Sequence, residues 1–148
     1  MSAPLPTFPQ GSPARLVPTM PFQASWLGRS VPLHATSTGK VLLAALPKAE
    51  FNAWLKDKHL ARLTAHTLAE PRALRAVIED VRKVDYCLSS EEHELGVHAL
   101  AVPLRDNQGR TVAALNVVAE TARMNATTMK NDLLPLLWET AAAVRTLL

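Results

Sequence analysis

The sequence predicts a mixed fold in which antiparallel strands carry helices on their faces. Three observations predict it. Val97–Leu104 and Thr111–Ala119 are β-rich runs on either side of Asp106-Asn107-Gln108-Gly109, a turn cluster whose glycine takes φ > 0 without penalty. Alternate residues of this hairpin separate into a bulky set (Leu100, Val102, Leu104, Ala113, Leu115, Val117) and a small set (Ala99, Ala101, Pro103, Ala114, Asn116). Strand side chains alternate between faces, so the bulky set offers a surface on which helices pack. Finally, stretches with apolar residues at helical spacing lie before and after the hairpin.

In chain order, residues 1–26 are poor in charge and contain Pro4, Pro6, Pro9, Pro13, Pro18 and Pro21. They are predicted to be irregular, with a short strand near Arg15–Val17 and with Trp26 and Leu27 docking on the body. Thr36 or Ser37 is a good N-cap for a helix running through Val41–Leu46, which Pro47 closes. Phe51, Trp54 and Leu55 make the i, i+3, i+4 stripe of a short second helix. Leu63–Thr67 is a loop. Pro71 suits the first turn of a helix with Leu74, Ile78, Val81 and Val84 on one side. Tyr86–Ser89 reads as a strand, followed by the acidic Glu91-Glu92-His93-Glu94 and Gly96. After the hairpin, Asn125–Thr128 can cap a last helix with the stripe Leu133, Leu137, Ala141, Val144 and Leu148, Pro135 lying in its first turn or kinking it.

Pairing Arg105 with Arg110 across the turn sets Ala99 opposite Asn116 and Ala101 opposite Ala114. Small side chains around a single amide leave a hollow of the kind that takes a small ligand. The alternative is that helices pack close there and Asn116 reaches a backbone group.

Composition narrows the function classes. A chain of 148 residues, 48% hydrophobic and 20% charged, is enough for one globular domain with a core. No apolar run approaches the ~20 residues that span a bilayer, and the N-terminus does not read as a signal peptide, so no membrane partner is expected. Cys87 is the only cysteine, which excludes an internal disulfide and fits a reducing, cytoplasmic setting. The net charge of +3 is mild, and basic residues lie among acidic neighbours, as on a solvated face rather than a nucleic-acid stripe.

Enzyme and metal signals are weak. Thr38-Gly39-Lys40 suggests a phosphate loop but lacks Gly at 34 and Ser or Thr at 41, where His34 and Val41 stand. A Ser/Thr-rich helix start still offers amides and hydroxyls to a carboxylate, or serves as a plain cap. His93 and His98 lack helical zinc spacing, so 91–94 reads as a solvated acidic turn and no metal is expected. There is no Gly-x-Ser-x-Gly elbow and no Gly-x-Gly-x-x-Gly, and Cys87 reads as an inert core thiol. No cofactor and no catalytic residues are assigned.

Several blocks in order carry a resemblance: PLHATSTGKVLLAAL, LT(x)HT, a helix ending VRKVDY, SSEEHELGVHALAVPLRDNQG, VAALNVV and LPLLWETAAAVRTLL. From about Leu27 to Leu148 the chain resembles the effector-binding domain of IclR-family transcription regulators. The resemblance implies an α+β fold, a profilin- or GAF-like curved antiparallel sheet flanked by helices, over residues 27–148. Residues 1–26 do not match the opening of the family's domain, which leaves the sheet either short of N-terminal strands or completed by a partner. It implies binding of a small organic acid as effector, and oligomerisation as a homodimer or tetramer. Operator DNA would be contacted only through a winged helix-turn-helix domain that this chain does not contain. Carried over by position, the effector site uses Ser37, Thr38 and Gly39 at the helix start with Ser89, Val97, Ala99 and Asn116. Some members have an acid and a thiol where Ser89 and Ala99 stand here, which argues against a glyoxylate-like ligand. The LNV and LPLL blocks lean toward the branch sensing aromatic or β-ketoadipate-type acids. A second reading is an oligomerisation module that no longer binds a ligand.

Overall fold

The computed structural model describes residues 32–148, so the expectations for residues 1–26 and for Leu27 lie outside the described residues. The elements are α1 (Ser37–Ala45), α2 (Lys48–Leu55), α3 (Pro71–Val84), β1 (Cys87–Ser90), β2 (Val97–Arg105) and β3 (Thr111–Glu120). They are followed by a short α4 (Ala126–Thr128), a π-helical stretch Met129–Leu133, α5 (Leu134–Val144) and a closing 3-10 turn Arg145–Leu147. The described strands form one antiparallel sheet in the order β1-β2-β3. This is an α+β fold with helices on both faces of the sheet.

Helix boundaries follow local chemistry. Thr36 caps α1, its hydroxyl accepting from the Gly39 amide at 3.0 Å, and Pro47 follows the C-cap at Leu46. Pro71 opens α3, where its missing N–H costs nothing. Leu74, Ile78 and Val81 are buried as the stripe predicts, but Val84 is 43% exposed. The last turn carries it off the face, because Asp85 turns left-handed (φ 65°) and leads the chain into β1. Asn125 caps the start of the C-terminal helical stretch through the Thr128 amide at 2.8 Å. Pro135 lies in the first turn of α5, and the π-helical stretch just before it absorbs the break. At the end of the predicted stripe Leu148 is 45% exposed.

The hairpin faces are as expected, but the register is two residues away. Arg105 pairs with Thr111, not Arg110, and an irregularity between Leu104 and Arg105 shifts the ladder once more. Asn116 therefore stands opposite Ala101, Ala99 opposite Val118, and Ala114 opposite Pro103. The cause is the turn. The Asp106 carboxylate accepts from the Gln108 and Arg110 amides, and the backbone bonds Asp106–Arg110 and Gly109–Asp106 close a longer loop around Gly109 at φ 81°. Two one-residue shifts preserve parity, so every side chain keeps its face.

The core divides accordingly. On the bulky face Leu100 and Val102 pack with Met129, Leu134 and Leu137, supported by Leu115 and Val117. On the small face Ala101 and Cys87 pack with Val41 of α1 and Val81 of α3. A third cluster, Leu43, Phe51, Leu55, Leu60, Leu74 and Ile78, ties α1, α2 and α3 together. Arg82 locks the end of α1 from α3, donating to the Ala44 and Leu46 carbonyls at 3.1 Å each.

Candidate functional site

The start of α1 is buried. Ser37 and Thr38 are each 1% exposed. A helix leaves its first amides without intrahelical partners. Here the Gly39 amide is taken by Thr36, so that predicted contact is not offered to a ligand; the Ser37 and Thr38 amides precede it. The Ser37 hydroxyl is buried and has no hydrogen-bond partner. Gly39 has a different task, close approach. A Cβ there would stand 2.3 Å from the Leu33 carbonyl oxygen, so only glycine lets the incoming chain cross the helix start.

Beneath this start lies a buried ion pair that sequence reasoning missed. Lys40 is fully buried, and its ammonium sits 2.6 Å from Glu92 Oε2. The same oxygen accepts from the Ser89 hydroxyl at 2.8 Å, and Glu92 Oε1 accepts from the Leu68 amide at 3.3 Å. The predicted solvated acidic turn is therefore corrected: the Glu92 side chain is only 11% exposed, because an apolar helix that carries a lysine inward must supply it with a counter-charge. The loop at 63–67 holds the turn in place. Thr64 and Thr67 hydroxyls donate to the Glu91 and Glu92 carbonyls at 2.6 Å each, and Glu91 itself accepts from the Gly96 amide at 2.9 Å. A lone lysine in the otherwise small and apolar STGKVLLAA was the available signal.

The sheet brings other predicted residues onto one face. Cys87 pairs with Ala101 and Ser89 with Ala99, while Ala101 pairs with Asn116 and Val97 with Glu120. Directly opposed residues share a face, as do residues two apart, so Ser89, Val97, Ala99 and Asn116 all look the same way. That is the face α1 covers. The corrected register divides the expected hollow. Around Ala101 it is filled by Val41 and Cys87, the close packing weighed as the alternative. Ser89 and Val97 are buried, whereas Ala99, Asn116 and Val118 stay partly exposed, and the residue that stands in the row of Ser89 and Ala99 is Val118 rather than Asn116.

The buried Lys40–Glu92 pair also acts on Cys87, on the same face. Burial pushes the Cys87 thiol up to about 11, opposed by Lys40 and reinforced by Glu92, so it stays protonated at neutral pH. Among the described residues no group of three His, Cys, Asp or Glu is placed to hold a metal ion. A separate cleft of about 100 Å³ opens at the far end of α1, between Ala44, Ala45, Val81, Pro103 and Thr111. Its charged lining is already engaged: Arg105 holds Asp85 in a bidentate pair at 2.7 and 2.9 Å, and Arg82 caps α1. The start of α1 therefore has the unengaged polar group, and the far end does not.

The family described as bacterial transcriptional regulator IclR, C-terminal, matches residues 16–146. The chain is 45% identical over 121 residues to the p-hydroxybenzoate hydroxylase transcriptional activator of Acinetobacter baylyi, covering 82% of this chain and 45% of that protein. It is also 45% identical over 122 residues to the Pca operon regulatory protein of the same organism, covering 82% and 44%. Among solved structures it is similar to a double mutant of the PobR transcription factor inducer-binding domain from Acinetobacter, crystallised with 3-hydroxybenzoic acid. That similarity has a TM-score of 0.79 at 45% identity, over 82% of this chain and 72% of the other. The chain thus spans just under half the length of these curated relatives. They are regulators of transcription, not enzymes.

Proposed function

The chain belongs to the IclR family of bacterial transcriptional regulators, and from that premise we propose that it is a sensor domain for a small aromatic acid, a monohydroxybenzoate first of all. The observation that carries the reading is the buried, unpartnered Ser37 hydroxyl at the start of a nine-residue helix. A carboxylate seated there accepts from that hydroxyl and from the Ser37 and Thr38 amides, where the helix dipole favours negative charge. Val97, Ala99 and Val118 would wall the ring, and the Asn116 amide would meet a further polar atom. Named relatives support the aromatic class: one is the activator of a p-hydroxybenzoate hydroxylase, and another was crystallised with 3-hydroxybenzoic acid. In the complete regulator the bound acid would change how a dimer or tetramer presents a winged-helix domain to its operator, inside the cytoplasm.

A ligand that binds only the native state raises the melting temperature by mass action. The test is a thermal-shift series with 3- and 4-hydroxybenzoate, protocatechuate, benzoate, β-ketoadipate and glyoxylate, followed by calorimetric titration of the acids that shift it. A selective rise with hydroxybenzoates is expected. Asn116→Leu is expected to keep the fold and weaken binding about tenfold, the scale of one hydrogen bond. A flat response from a folded chain overturns the reading.

A further inference from the structure

We propose that Glu92 fixes the hydrogen-bonding sense of Ser89, so that the site demands an effector carrying a hydrogen-bond donor at that position. The inference rests on the sensor reading above and deepens it. A serine hydroxyl has one proton and two acceptor lone pairs. Here the proton is committed: Ser89 Oγ lies 2.8 Å from Glu92 Oε2, an oxygen that also pairs with Lys40 at 2.6 Å, and a carboxylate can only accept. The Glu92 carboxylate is held from three sides, by Lys40, Ser89 and the Leu68 amide, and is almost wholly buried, so it cannot turn away from the Ser89 hydroxyl that donates to it. What Ser89 presents to the face it shares with partly exposed Ala99 is therefore lone pairs alone.

Ser37 is the opposite case. Its hydroxyl is buried without a partner, so its proton is available. The two serines give the face a donor end at the helix start and an acceptor end at Ser89. An acid with a hydroxyl satisfies both ends, its carboxylate on Ser37 and its own O–H donated to Ser89. A dicarboxylic acid does not, because its second carboxylate would bring lone pairs against lone pairs beside the negative charge of Glu92. Glu92 acts here as a positioning residue, and Ser89 as the residue that discriminates.

The experiment is calorimetric titration of the full chain with ring acids matched in size: 3- and 4-hydroxybenzoate against the corresponding fluoro- and methoxybenzoates, plus terephthalate. The hydroxy acids are expected to bind at least about tenfold more tightly than their acceptor-only counterparts, the scale of one hydrogen bond left unmade in a buried site. Ser89→Ala should bring the hydroxy-to-fluoro ratio to near one, a change that loss of stability alone does not produce. Lys40→Met combined with Glu92→Gln removes both charges together, and the carboxamide then in place of the Glu92 carboxylate can donate to Ser89 Oγ and release its proton. Methoxybenzoate should then gain on hydroxybenzoate. Equal binding of hydroxy and fluoro acids by the wild-type chain, or a ratio unchanged in Ser89→Ala, overturns the inference while leaving the sensor reading intact. Absence of binding by every ring acid overturns both.

Discussion

On one face of the sheet Leu100 and Val102 meet Met129, Leu134 and Leu137, every one of them buried among apolar neighbours. On the other face, one residue along each strand, Ala101 meets Val41 and Cys87, and Ser89 is tied to the Lys40–Glu92 pair. The same strands build both surfaces, so backbone geometry is not what separates them. The first is filled by bulky apolar side chains from the strands and the C-terminal helices. The second is kept small and then furnished with charge, at a cost in desolvation that bulky apolar residues would avoid. A protein that needed only to fold would gain by making the second face resemble the first. Binding at the second face, as proposed above, would account for that expense.

The largest effect is expected where the comparison is broken by removing one charge. Glu92→Leu leaves a fully buried Lys40 without its partner, and it should destabilise the domain by about 3–5 kcal/mol in urea unfolding. Joining it to Lys40→Met should recover most of that loss, since a matched apolar pair of similar volume is tolerated. If the single variant is as stable as the wild type, the pair is incidental and the two faces differ only in side-chain size.

A smaller effect is expected on the filled face. Leu100→Ala removes a fully buried side chain, and the cost should be about 2–3 kcal/mol, toward the lower end for leucine truncation. The reason is Met129, an adaptable neighbour in the same cluster that can shift into the gap. The affinity of the folded chain for the hydroxybenzoate proposed above, measured by titration well below the melting temperature, should change less than about twofold. A large loss of affinity at unchanged fold would show that the faces are coupled and sharpen the comparison into a mechanism.

Much of this architecture is legible in the sequence, and the reasons are local. Thr36, Pro47, Pro71 and Asn125 act within a turn of their own positions, so the caps and boundaries they predict appear in place. Parity along a strand is equally local, and it placed Ala99, Ala101 and Asn116 on one face. The pairing partner of Asn116 is not local. It depends on how many residues the 106–110 loop encloses and on one irregularity at Leu104, neither of which periodicity encodes. Glu92 shows the same limit more strongly. In sequence it is one acid among three between 91 and 94, and only its contact with a lysine 52 positions earlier distinguishes it. Ser37 and Thr38 could be nominated from the helix start, but the loss of the Gly39 amide to Thr36 is visible only in the bond itself.

The smallest expected effect concerns the turn that sets this register. Asp106 accepts from the Gln108 amide at 2.9 Å, the Arg110 amide at 3.0 Å and Arg110 Nε at 3.0 Å. These bonds, the Arg110 amide foremost, hold its carboxyl below the usual range of about 3.8. The unfolded chain therefore takes up the proton first as the pH drops. Stability from this group is fully present above that ordinary value and is lost as the pH falls through the folded one. Asp106→Asn should lower the urea midpoint slightly at pH 6 and by less at pH 3, where the wild-type group is itself losing its advantage. The carboxamide still offers an oxygen to the two amides, so the turn and the faces it sets should survive. A gap between wild type and Asp106→Asn that widened at pH 3 would have the wrong sign for this group, and would show that the Asp106 carboxylate is not held below its ordinary range in the folded chain.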